Sequence, residues 1–134
     1  MRTLTLLTLI TIFFTSCGPD QKAIQKAKFD EVMAIHDEVM PKMGTIRKLA
    51  KSFQVKADSL ISVDSLSSDV QEYANVAIEL QGASESMMVW MRAFSEPEEG
   101  TAHEEVLKFY DEELSKVMEV REKMLSAIEK AEGM

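Results

Sequence analysis

From Phe29 onward the apolar residues of this chain recur in alternating steps of three and four, along three separate runs. The first run is Phe29, Val32, His36, Val39, Met43, Ile46, Ala50, Phe53, Ala57 and Leu60. The second is Leu66, Val70, Tyr73, Ala77, Leu80, Ser84, Met87, Met91 and Phe94. The third is His103, Val106, Tyr110, Glu113, Val117, Val120, Met124, Ala127 and Ala131. Such spacing keeps side chains on one stripe of a helix, whereas a half-buried strand needs period two. No stretch alternates with period two for long enough to make a strand, so the class is all-α. Leu107, Leu114, Met118, Leu125 and Ile128 flank the third stripe and make it broader than a two-stranded seam.

The breaks between the runs are equally legible. The Ser/Asp cluster from Ser62 to Ser68 offers N-cap oxygens to a second helix. Ser95-Glu96-Pro97 ends that helix, because the residue before a proline is pushed out of the α region. Thr101 and Glu104 then have capping-box spacing for a third helix. Short connections force antiparallel neighbours. The expectation is an up-down-up three-helix bundle with coiled-coil-like packing over 22–134, its helices at about 22–60, 65–95 and 101–132. Pro41 removes a donor within the first of these and predicts a kink near Asp37. Charge suggests the same pairing. Lys42, Arg47, Lys48, Lys51 and Lys56 lie in an acid-free stretch, and Asp58, Asp64, Asp69, Glu72, Glu79 and Glu85 in a base-free one. A hairpin lays the two side by side.

The N-terminus reads as an address. Met1-Arg2 precedes an uncharged run from Thr3 to Ser16, about fourteen residues against the twenty or so that a permanent span needs. The run ends in Phe14-Thr15-Ser16-Cys17, followed by Gly18-Pro19-Asp20, which is similar to a bacterial lipobox. On that reading residues 1–16 are a lipoprotein signal peptide, Cys17 is acylated, and 17–21 form a short tether. The protein is then anchored to a membrane of the bacterial cell envelope, periplasmic or surface-exposed. The alternative is an ordinary signal peptide that leaves a free thiol.

Composition excludes several functions. Of 134 residues, 23 are Asp or Glu and 15 are Lys or Arg, a net charge of −8. A phosphate backbone needs a basic face, so nucleic acid is not an expected partner. The single Cys excludes an internal disulfide, a cysteine-based zinc site and an iron–sulfur cluster. No Ser stands in a nucleophile-elbow context beside a His. Adjacent acids such as Asp37-Glu38 and Asp111-Glu112-Glu113 diverge around a helix rather than converge. The chain is expected not to be an enzyme, and to bind a protein partner or a second copy of itself through its helix faces.

One layer is chemically odd. In a hairpin turning near residue 63, His36 faces Met91 and Met40 faces Met87, while a second turn near 98 brings His103 towards the same height. His36, Met40, Met43, Met87, Met91 and His103 thus gather within about two turns, with Trp90 and Tyr110 at that level. Two readings compete. Unbranched methionines fill the irregular gap left by the Pro41 kink. Alternatively, thioethers and imidazole make a soft-metal site suited to copper as Cu(I), between the first and second helices. Haem held by His36 and a facing Met is a third, with no attachment motif behind it. Otherwise no cofactor is expected.

The segments His36-Asp37-Glu38-Val39-Met40-Pro41-Lys42-Met43-Gly44 and Met87-Met88-Val89-Trp90-Met91-Arg92 resemble a group of small lipoproteins of flavobacteria-like bacteria that carry the label "viral A-type inclusion protein". The resemblance extends over nearly the whole mature chain, with Val89 standing where members tend to carry an acid. It implies a lipid-anchored helical protein of unassigned function, with its distinctive motifs centred on the layer just described.

Overall fold

The structure, a computed structural model, describes residues 20–134; the proposed leader and Cys17 lie outside the described residues. It contains α1 (Gln21–Val39), a 3-10 turn (Met40–Lys42), α2 (Met43–Ile61), α3 (Ser68–Ala93) and α4 (His103–Glu132), with no strand among the described residues. α1 and α2 form one interrupted helical rod, which packs with α3 and α4. No described helix is long and apolar enough to cross a membrane.

Local chemistry explains most of the boundaries. The Asp20 carboxylate accepts the Lys22 N–H at 3.0 Å and opens α1. The Ser67 hydroxyl accepts the Asp69 N–H at 3.3 Å and opens α3, so the Ser/Asp cluster supplies the cap. α4 departs from expectation. It begins at His103 after Ala102, and the Thr101 hydroxyl instead donates to the Glu98 carbonyl at 2.8 Å. The cause is Gly100, whose φ of +93° turns the chain in the left-handed region that only glycine enters freely. That turn claims Thr101 before the helix starts.

The Pro41 break also falls later than the expected kink near Asp37. α1 stays regular through Val39, and the Met40 N–H still closes on the His36 carbonyl. Pro41 cannot donate, and a bond spanning three residues, from the Met43 N–H to the Met40 carbonyl, restarts the helix. The interruption changes partners. α1 lies chiefly against α4, whereas α2 lies chiefly against α3. The side of α1 that faces α3 is therefore less tightly closed, which matters for the site below.

The 3–4 stripes form the core. Val32, Val39, Ile46, Leu80, Met87, Val117 and Met124 are fully buried, each full burial contributing about 1.5–3 kcal/mol. α3 also buries Val76, Ala83 and Trp90, which lie off its predicted stripe, because it is sandwiched between α2 and α4. Leu66, assigned to the second stripe, instead sits in the α2–α3 turn and is 93% exposed.

The expected charge pairing between α2 and α3 is absent from the described ion pairs. Glu79 bonds Lys130 and Glu85 bonds Arg92, while Lys56 lies 4.5 Å above the Phe53 ring. The α2 cations face outward because the seam itself is apolar. Charge instead ties α4 to its neighbours. Lys28 meets Asp111 at 2.8 Å, and Arg121 grips Glu38 with two bonds at 2.8 and 2.7 Å. The Arg121 hydrogen bonds hold the Glu38 carboxyl below its ordinary value of 4.5. A depressed carboxyl contributes stability above its unfolded value and loses it as pH falls through the folded one. Glu38→Gln is therefore expected to lower the urea midpoint slightly at neutral pH. The difference should vanish well below the carboxylate range. A difference that persists in acid would mean the pair acts through packing alone.

Candidate functional site

At the α4-N-terminal end of the bundle, aromatic rings from three helices close the core. Phe94 lies 6.5 Å from Phe29, 5.2 Å from Trp90 and 5.9 Å from Phe109, and Tyr110 meets Phe29 edge-on at 6.0 Å. Trp90 is the hinge of this cluster. Its indole N–H donates to Glu113 at 2.9 Å, and its ring lies 5.9 Å from the His36 imidazole. Burial raises the Tyr110 hydroxyl above its ordinary pKa, and the nearby Glu96 carboxylate adds to the rise.

Beside these rings, in the opening between α1 and α3, lies a pocket of about 250 Å³. Met33 and His36 line it from α1, Trp90, Met91 and Phe94 from the α3 side, and Glu96 from the connection beyond. His36 Nε2 stands 3.4 Å from Met91 Sδ. On the other side of the ring, Nδ1 stands 2.8 Å from the Asp37 carboxylate. A carboxylate only accepts, so it holds the hydrogen on Nδ1. In the neutral ring Nε2 then carries a lone pair, directed at a thioether sulfur that has lone pairs alone.

The six sequence candidates separate accordingly. His36 and Met91 meet. Met87 is fully buried in the core, and Met43, 3% exposed, accepts a 3.8 Å hydrogen bond from the Ser84 hydroxyl. Met40 is half-buried beside the Pro41 break and packs on the core. His103 is elsewhere: its Nδ1 lies 3.1 Å from the Gln25 amide, about 16 Å along α1 from His36. The second connection is the reason. Trp90 faces Glu113, so α4 is shifted by roughly two turns from the register that a turn near 98 implied. Met33 was missed among the candidates, although its place three residues before His36 puts both on one face.

A larger groove, about 580 Å³, runs between α3 and α4 past Gly82, Val89, Trp90, Glu113 and Lys123. Its charged groups are partnered within the protein. Glu113, the only buried charged residue among those described, takes the Trp90 N–H and a 2.7 Å bond from Lys116. That bond raises the Lys116 pKa. Glu119 pairs with Lys123 at 2.8 Å, and that hydrogen bond lowers the Glu119 carboxyl. The groove is larger, yet the open donor chemistry is in the smaller pocket. No group of three His, Cys, Asp or Glu residues among those described could hold a metal ion. Compared with protein-family models, curated proteins and solved structures, the chain matches none.

Proposed function

We propose that this protein is a lipid-anchored component of a bacterial cell envelope, held through Cys17 and facing the periplasm or the exterior. It is an antiparallel up-down-up three-helix bundle that acts by binding or structural support rather than by catalysis. The observation that carries the anchor reading is the lipobox-like Phe14-Thr15-Ser16-Cys17 at the end of the uncharged run. Asp20 caps α1 three residues beyond Cys17, so the helical body begins close to the proposed anchor. Three contacts support the antiparallel hairpin, since Met91, Ser84 and Tyr73 meet His36, Met43 and Phe53 in reverse order. Lys28 with Asp111 and Glu38 with Arg121 support α1 and α4 running the same way.

Metabolic labelling with a radioactive fatty acid tests the anchor. The wild-type chain is expected to take up label and sediment with membranes, and Cys17→Ala to lose both. Equal label and equal sedimentation in the two would overturn it. A second reading, that the bound species is a soft metal ion, is favoured by His36 Nε2 and Met91 Sδ facing each other at 3.4 Å.

A further inference from the structure

We propose that Met33, His36 and Met91 form a Cu(I) site in the opening between α1 and α3, closed on one side by the ring of Trp90. This rests on the soft-metal reading above and assigns its ligands, replacing the layer of His36, Met40, Met43, Met87, Met91 and His103 expected from spacing alone.

The imidazole of His36 and the thioether of Met91 face each other across the pocket. In the neutral ring with its hydrogen on Nδ1 beside Asp37, His36 directs a lone pair at Met91 Sδ, which has no hydrogen to give. Two Lewis bases therefore face each other at 3.4 Å, and the species that satisfies both is a proton or a soft cation. The spacing suits a metal. Taking the lengths of about 2.0 Å to nitrogen and 2.3 Å to sulfur found around Zn²⁺ as a guide, angles between tetrahedral and trigonal separate the two donors by about 3.5–3.7 Å. The observed gap is a few tenths shorter, within what one methionine rotamer adjustment supplies. Met33 lines the same pocket and brings a second thioether, giving a nitrogen and two sulfurs.

Donor chemistry selects the ion. Thioethers are neutral and soft, so they cannot replace the water shells of Mg²⁺ or Ca²⁺, but they favour Cu(I). The imidazole is also largely shielded from solvent. The His36 side chain is 16% exposed, and Trp90 lies below it with its ring 5.9 Å from the imidazole. Asp37, bonded to the far ring nitrogen, is the carboxylate–histidine support that metal-ligating imidazoles commonly have. Glu96 adds negative charge at the pocket's mouth.

Trp90 makes the test direct, because it is the chain's only tryptophan. The full chain in detergent is titrated anaerobically with Cu(I), once while following Trp90 emission and once in competition with a coloured Cu(I) chelator. A saturable emission change at one copper per chain is expected, with no such change on adding Zn²⁺ or Mg²⁺. Met33→Leu and Met91→Leu nearly conserve volume, so the fold is expected to stand while Cu(I) affinity falls at least tenfold. Met40→Leu and Met87→Leu are expected to leave it unchanged. Copper binding lost only in the Met40 or Met87 variants would overturn this ligand assignment and keep the soft-metal reading. No competition by the wild type at micromolar chelator would overturn both. An equal response to Zn²⁺ would overturn the choice of ion.

Discussion

Trp90→Ala is expected to cost the bundle about 3–5 kcal/mol, the range for deleting a large buried aromatic. The residue is 6% exposed and joins three helices. Its ring meets Phe94 at 5.2 Å and His36 at 5.9 Å, and its N–H reaches Glu113 on α4. Two effects are therefore combined, a cavity and a buried carboxylate deprived of a donor. Companion variants separate them. Trp90→Phe keeps most of the ring but removes the donor, which is expected to cost about 1–3 kcal/mol. Glu113→Gln keeps an acceptor for the indole and is expected to cost less. The measurement is urea unfolding followed by far-ultraviolet circular dichroism. With native domains stable by only about 5–15 kcal/mol, the alanine variant should be partly unfolded in mild denaturant. A wild-type midpoint for Trp90→Ala would rule out this residue as the point where the three helices are tied together.

The second large effect is expected at Met87, which is fully buried in the core. Met87→Ala should cost about 2–5 kcal/mol, because the surrounding helices collapse only partly into the space left behind. Met87→Leu nearly conserves volume and should cost under about 1.5 kcal/mol. Met91 forms the contrast, since it lines an open pocket and touches His36 through its sulfur. There the leucine variant should change ligand binding while barely moving the urea midpoint. Similar midpoints for Met87→Ala and Met87→Leu would remove Met87 from the packing core. The pair of positions therefore tests whether adjacent methionines in one helix serve two purposes.

Much of the helical reading was accessible from spacing because burial in a bundle is a one-dimensional pattern. Val32, Val39, Ile46 and Phe53 on the first rod, and Val106 through Ala131 on α4, follow the 3–4 rule and are buried. The meeting of His36 with Met91 was also legible, since a short connection between α2 and α3 ties residue number to height. The rest depended on features that carry no period. Pro41 announces a break, yet the position of the break and its consequence, α1 turning to α4 while α2 stays on α3, depend on which neighbours are available to pack.

The same distinction divides the candidate site. Residue types and spacing by themselves determined the all-α class, the core stripes and the presence of soft donors near His36, because these follow from periodicity and side-chain chemistry. Tertiary structure decided which donors converge. Gly100 and the connection after Pro97 set the register of α4, which took His103 to Gln25 and brought Glu113 to Trp90. Packing α3 between two partners buried Trp90, off the stripe, and left Met91, on the stripe, at the opening where Met33 and His36 stand. Those outcomes arise from contacts between residues distant in the chain, and no local pattern encodes them.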